Sequence, residues 1–379
     1  MAPRLMPETQ HPAATHRHSP PRGVQETLAA SLASDSILVR ACRLETVPYT
    51  PVWLMRQAGR YMPEYRALRA RQSMLEAIND PATAAEITLQ PVQALGVDAA
   101  IIFSDILPPL IGMGLDLDFV SGTGPRIANP VRTSRDVDVL GTPPADETMR
   151  GTLGAIRLVR RALPATTPLI GFAGAPFTLA CYAIEGGGSQ RYEVAKSFMY
   201  AEPAAWSRLM RRLVTVLADY LIAQARAGAD VLQVFDSWAG ALGPHDYARY
   251  VKPYNTALFK AVAAAGVPVI NFSTGTGAII DDVVNCGGDV LGIDWRTPLD
   301  GVRATYGHRC AIMGNLDPIT LLAPWRELKG QIDDVLHRAG TQPGHIFNLG
   351  HGILPTTPVD NVRRLVEYVQ ENTGPGTRD

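Results

Sequence analysis

Gly228-Ala229-Asp230-Val231-Leu232-Gln233-Val234-Phe235-Asp236-Ser237-Trp238-Ala239-Gly240 is the stretch that decides the fold. A short apolar run, 231–235, is entered through a glycine and left through a polar loop. Upstream, Pro203 opens an amphipathic run that continues to Gly228. A first-turn proline and a glycine just past the last periodic residue mark the two ends of a helix. A helix feeding a buried strand is one α/β repeat. Seven further runs carry the strand signature: 52–55, 99–104, 168–172, 267–272, 290–293, 311–314 and 345–348. Helical patterns lie between them. Pro318 opens a run that ends at Gly340, and Asp360-Asn361 lead into Val362, Leu365, Val366 and Val369, one helical face. Eight strands alternating with helices predict successive βαβ units around a parallel sheet. The sheet is either open and doubly wound or closed. Eight units in about 335 residues match the closed form, and no Gly-x-Gly-x-x-Gly follows the first run. The expected fold is therefore α/β, a single (β/α)8 TIM barrel over residues 37–379.

Residues 1–36 are rich in Pro, Ser, Thr, Ala and His and show no sustained periodicity. They predict a disordered N-terminal tail, with no apolar core of a secretory signal. His11, His16 and His18 belong to that tail and are read as solvated rather than metal-binding. Across all 379 residues, 35 Lys and Arg nearly cancel 36 Asp and Glu, for a net charge of −1. So weak a field argues against a nucleic-acid binder. With 46% hydrophobic and 19% charged residues the chain can bury a large core. No apolar stretch approaches the roughly 18 residues of a membrane span. Four cysteines, Cys42, Cys181, Cys286 and Cys310, lie far apart and suggest neither a disulfide framework nor a zinc ribbon. A reduced, cytoplasmic setting is expected. The cations are 31 Arg and only 4 Lys. Base composition explains most of that skew, but a few Arg can serve bidentate carboxylate recognition.

A barrel places its chemistry in the loops after the strand C-termini. After 52–55 come Arg56-Gln57-Ala58-Gly59-Arg60, two guanidinium forks around small residues that let the backbone approach a ligand. After 99–104, Asp105 emerges into the apolar loop Ile106-Leu107-Pro108-Pro109, a costly place for a carboxylate unless it is paired or used. A helix cap is the plainer reading of Asp105, weakened because no helical face is expected to start there. After 168–172 the chain runs to Tyr182 and Gly186-Gly187-Gly188, without the Gly-Lys-Ser/Thr ending of a phosphate loop. Tyr182 fits a core position and a hydroxyl donor equally. Ser237 lacks the Gly-x-Ser-x-Gly elbow, which makes it a hydrogen-bond donor rather than a nucleophile. His351 stands between Gly350 and Gly352, poorly placed for core packing and well placed to meet a ligand. No Lys lies on a strand or strand end, so Schiff-base chemistry is not expected. His308-x-Cys310 precedes the 311–314 strand, faces the other end of the sheet and is read as structural, and no metal site is expected.

Taken together these segments resemble the uroporphyrinogen decarboxylase family. The match runs through Pro51-Val52-Trp53-Leu54-Met55-Arg56-Gln57-Ala58-Gly59-Arg60-Tyr61-Met62-Pro63-Glu64-Tyr65, then Phe103-Ser104-Asp105-Ile106-Leu107, then Gly174-Ala175-Pro176. It continues through Tyr182 to Gly188, Phe235 to Gly240, Gly314-Asn315-Leu316-Asp317-Pro318 and Phe347 to Ile353. It covers roughly residues 37 to 371 in order. Phe177 stands where the family often has Trp, and the N-terminal tail is extra. The resemblance implies decarboxylation of the four acetate side chains of uroporphyrinogen III to methyls, giving coproporphyrinogen III and CO2 in haem biosynthesis. It also implies a homodimer and no cofactor. Arg56, Gln57, Ala58, Gly59, Arg60, Asp105, Tyr182, Ser237 and His351 would bind this tetrapyrrole, with Asp105 and Arg56 in catalytic roles.

The residue types suit that chemistry. Eight substrate carboxylates call for guanidinium clamps at Arg56 and Arg60. Loss of CO2 from a pyrrole acetate needs an electron sink, which protonation of the neighbouring ring carbon creates. Asp105 can accept the pyrrole N–H groups and stabilise the cationic ring. Arg56 is a candidate proton donor as well as a clamp. Two alternatives are carried forward, a corrinoid or thiol methyltransferase on a related barrel and a catalytically silent tetrapyrrole-binding barrel.

Overall fold

In the computed structural model the chain divides into two units, Met1–Leu32 and Ala33–Asp379. The structure describes residues 35–120 and 122–374, all of them in the second unit. The expected tail, with His11, His16 and His18, lies outside the described residues apart from Asp35 and Ser36. Ser36 is buried and caps the helix Ile37–Cys42 by accepting the Val39 N–H.

Seven of the eight expected runs form one curled parallel sheet. Its strands are β1 (Ala100–Ile101), β4 (Leu169–Gly174), β5 (Val231–Asp236), β6 (Val269–Ser273), β7 (Val290–Gly292), β8 (Ala311–Met313) and β9 (His345–Ile346), paired in that order. Every neighbouring pair is parallel, in registers such as Val234 to Asn271 and Leu291 to Ile312. Two further strands, β2 (Leu117–Val120) and β3 (Gly124–Ile127), make an antiparallel hairpin apart from the sheet. The strands of the sheet are buried on both faces, as parallel strands covered by crossover helices are.

The run 52–55 does not form a strand as expected. It reduces to one parallel bridge, Val52 to Phe347, with Phe347 N–H donating to the Pro51 carbonyl at 2.9 Å. The cause is local. Pro51 has no N–H to give, and the Val52 N–H goes to the Asp98 carboxylate at 2.8 Å rather than to a strand carbonyl. The Val52 carbonyl in turn accepts the Asp98 N–H at 2.9 Å. The segment thus touches the chain that enters β1 on one side and the chain that leaves β9 on the other.

The helix expected from Pro203 spans Pro203–Ala227, and Gly228 closes it with φ of 119°. Its buried stripe includes Leu209, Leu213, Leu217, Leu221 and Gln224, and Gln224 bonds both the N–H and the carbonyl of Phe172 in β4. The expected run 318–340 is broken in two, a 3-10 turn over Pro318–Leu322 and a helix over Trp325–Ala339. Pro324 disfavours helical geometry at Ala323 and separates them. The segment 359–371 is helical, with Val362, Leu365, Val366 and Val369 buried. Among the described residues no helix is long and apolar enough to cross a membrane. All four cysteines are free and buried.

Candidate active site

The turn after Val52 is built by burial and hydrogen bonds, and it aims its arginines outward. Gln57 is fully buried, accepting the Leu54 N–H at 3.1 Å and donating to the Ala99 carbonyl at 3.0 Å. Its side chain therefore bolts the turn to the entrance of β1, and Gln57 is not among the residues lining the cavity into which this turn opens. Asn348 ties the same turn to the end of β9, its carboxamide oxygen taking the N–H of Met55 and of Leu349. Held from both sides, Arg56 adopts φ of 61°, a left-handed conformation that few side chains other than glycine tolerate. Arg56, Ala58, Gly59 and Arg60 all line one cavity. Among the described residues neither guanidinium forms an ion pair with a protein carboxylate.

Gly352 explains how Arg56 lies where it does. A Cβ on Gly352 would stand 2.6 Å from Arg56 Cγ and 2.9 Å from Arg56 Nε. The glycine lets the arginine stem cross its backbone. Gly352→Ala is expected to keep the fold, displace Arg56 and lower kcat/KM by roughly tenfold to a hundredfold. Steady-state kinetics beside a thermal melt check this, and an unchanged kcat/KM would show that Arg56 relocates freely.

Asp105 follows β1 and opens into the cavity. Its Oδ1 accepts the Leu107 N–H at 3.0 Å. A helix does start here, Pro108–Gly112 with Pro108 at its first position, contrary to expectation, so Asp105 also steadies the turn that precedes it. Burial pushes its carboxyl above the usual range, while the Leu107 N–H and the Arg56 charge hold it down. Tyr182 sits on the helix Pro176–Glu185 and faces the cavity, half-buried. Burial and the Asp105 charge push its phenol up, so the hydroxyl stays protonated. Trp238 stacks on Tyr182 with ring centroids 3.9 Å apart. Ser237, between β5 and Trp238, lines the same space.

His351 completes the ring of polar groups. Its Nδ1 accepts the Gly352 N–H at 2.8 Å, which assigns the proton to Nε2. Burial and the Arg56 and Arg296 charges push its pKa down to about 4, so the ring is neutral near pH 7 and Nε2–H can donate.

The structure thus brings Arg56, Ala58, Gly59, Arg60, Asp105, Tyr182, Ser237 and His351 around one cavity of about 1050 Å³ at the C-terminal ends of the strands. Its floor is apolar. Phe172, Phe235 and Phe272 pack edge to face at 5.4 and 5.7 Å. Phe119 and the tip of the β2–β3 hairpin form a wall. Sequence reasoning missed these aromatics, Trp238 as a stacking partner, and Arg69, a further cationic lining residue. The readable signal for the hairpin was Leu117 to Val120 followed by Gly122 and Gly124.

The family model described as Uroporphyrinogen decarboxylase (URO-D) matches residues 33–372. The uroporphyrinogen decarboxylase of Chloroflexus aurantiacus is 56% identical over 343 residues, spanning 89% of this chain and 96% of that protein. That of Thermus thermophilus is 52% identical over 337 residues, spanning 89% and 98%. Among solved structures, a methyltransferase from Methanosarcina mazei has a TM-score of 0.72 at 20% identity, covering 90% of this chain and 98% of its own. That likeness shows a shared fold.

Proposed function

This chain belongs to the uroporphyrinogen decarboxylase family, and from that premise we propose how its cavity performs the decarboxylation. The protein is a carboxy-lyase that converts the acetate side chains of uroporphyrinogen to methyl groups. One observation carries the assignment of roles. A single carboxylate, Asp105, projects into an apolar-floored cavity beside two guanidiniums, Arg56 and Arg60, that have no protein carboxylate partner among the described residues.

The reaction balances as follows. A proton adds to the ring carbon next to the acetate-bearing one and makes the pyrrole cationic. The bond from the acetate methylene to its carboxylate then breaks, CO2 leaves, and the released electron pair neutralises the ring as an exocyclic alkene. A second proton goes to that exocyclic carbon and the first is lost, so each acetate consumes one proton overall. Asp105 accepts pyrrole N–H groups and stabilises the cation, as preorganised charge does where charge develops. Arg56 and Arg60 clamp carboxylates, and Arg56 is also the proposed proton donor. His351 Nε2–H, the Tyr182 hydroxyl and the Ser237 hydroxyl orient acetates and propionates as neutral donors.

The geometry also supports a closed (β/α)8 barrel, with 51–54 as the eighth stave between β1 and β9. We read the protein as a cytoplasmic homodimer. The methyltransferase reading gives way to family membership, because the Methanosarcina structure is related at only 20% identity. Sedimentation velocity reads the dimer directly, since a monomer mass of 40.9 kDa would refute it.

Incubating the purified chain anaerobically with uroporphyrinogen and no added cofactor tests the function. Coproporphyrinogen with matching CO2 is expected, and substrate bound but unconverted would support the silent barrel instead. Arg60→Ala is expected to raise KM by roughly tenfold with a smaller change in kcat, the mark of a lost carboxylate clamp. Unchanged KM and kcat would place Arg60 outside the substrate contacts.

A further inference from the structure

Behind the cavity, and touching it nowhere, lies a buried polar chain that the decarboxylation does not use directly. Asp236 ends β5 and is only 2% exposed, yet both of its oxygens are bonded. Oδ1 accepts the Thr178 hydroxyl at 2.9 Å, and Oδ2 accepts the Asn255 amide at 3.0 Å. The Asn255 amide also reaches the Tyr247 hydroxyl at 3.3 Å, which lies 3.6 Å from the Cys286 sulfur. A carboxylate this deep costs stability unless its partners are fixed, and burial pushes it up to about 6 against the pull of Asn255 and Thr178.

Thr178 has a second bond. While its hydroxyl donates to Asp236, its oxygen accepts the Trp238 N–H at 3.3 Å. One hydroxyl thus joins the end of β5 to the loop that carries Ser237 and Trp238. Thr178 also lies one helical turn before Tyr182 on the helix Pro176–Glu185, the spacing that puts both side chains on one face. Trp238 returns the connection by stacking on Tyr182.

We propose that Asp236 and Thr178 are positioning residues, which lock the Ser237–Trp238 loop to the helix bearing Tyr182 so that both hydroxyls meet the substrate in register. Fixed relative placement matters because a displacement near 1 Å at a reacting group costs about a hundredfold in rate. A purely apolar pair at 178 and 236 would fill the space as well, but it would leave the Trp238 N–H without this acceptor and the loop free to shift. The inference rests on the reading of Tyr182 and Ser237 as substrate contacts.

Thr178→Val removes the hydroxyl and keeps the volume. In the full-length protein it is expected to lower kcat/KM for uroporphyrinogen by roughly tenfold or more while circular dichroism matches the parent. Thr178→Ser keeps the hydroxyl and restores the rate. Combined with Tyr182→Phe, Thr178→Val adds less than its single loss, because the Tyr182 hydroxyl that it positions is already gone. Should Thr178→Val fail to fold, Asp236→Asn, which conserves shape, enters the same cycle with Tyr182→Phe. Unchanged kcat/KM in the folded variant, a Thr178→Ser as impaired as Thr178→Val, or fully additive losses overturn the inference. Tyr182→Phe and Ser237→Ala that both match the parent overturn the reading of the site, and the inference falls with it.

Discussion

Asp105→Asn is expected to reduce kcat by roughly two to three orders of magnitude, the scale of losing one preorganised electrostatic contact, while the protein stays folded. Asparagine keeps the shape and the carboxamide oxygen that can take the Leu107 N–H. It loses the charge that stabilises the cationic pyrrole. Stability should move the other way. The folded-state carboxyl titrates above its ordinary value because of burial. As pH rises, the unfolded chain gives up this proton first, so stability falls across the window between the two pKa values. Above that window the ionised group is a net cost, which asparagine lacks. The melting temperature of Asp105→Asn at pH 7.5 should therefore equal or exceed that of the parent. Coproporphyrinogen measured after anaerobic incubation reads the first part and a thermal melt the second. Near-parental turnover would remove Asp105 from the mechanism, and a collapsed melt would mean that the charge of Asp105, which asparagine lacks, supports the fold.

The strand ends were legible because a parallel sheet enforces a simple rule. Apart from buried polar groups such as Gln233 and Asn271, residues inside its strands are apolar, so a carboxylate closing a run, such as Asp105 or Asp236, marks a strand end. That rule located the cavity, but it could not say which polar residue faces it. Gln57 and Arg56 are neighbours in one motif, yet Gln57 turns inward to two backbone groups while Arg56 takes a left-handed conformation and turns out. The difference lies in tertiary hydrogen bonds from Ala99 and Asn348, which no local pattern encodes. Asp236 and Asp105 show the same limit, both at strand ends, one sealed behind Thr178 and Asn255 and the other open to the cavity. The first strand was overstated for a related reason. Val52 to Met55 have strand propensity, but Asp98, distant in sequence, takes the N–H that a ladder would use.

Replacing Arg56 by methionine should lower kcat/KM at pH 7 by roughly a hundredfold, the scale of losing a group that positions the substrate, and should also shift its pH dependence. The first effect follows from a lost carboxylate clamp. The second follows from two neighbours. Arg56 holds the Asp105 carboxyl down against burial and pushes the His351 imidazole down with it. Without the guanidinium both groups bind protons more readily, so both titrate at higher pH. A protonated Asp105 no longer offers an anion to the pyrrole ring, and a protonated His351 adds a charge beside it. Activity on the acid side therefore fades sooner, and the acid limb of kcat/KM against pH moves upward. Asp105→Asn has no carboxyl at that position, so adding Arg56→Met to it should leave only the His351 contribution and a smaller displacement. Methionine keeps a long apolar stem over Gly352, so lost packing does not confound the comparison. An acid limb that stays in place in Arg56→Met would mean that Asp105 does not feel Arg56 during turnover, and the pairing of carboxylate and guanidinium around the substrate would have to be abandoned.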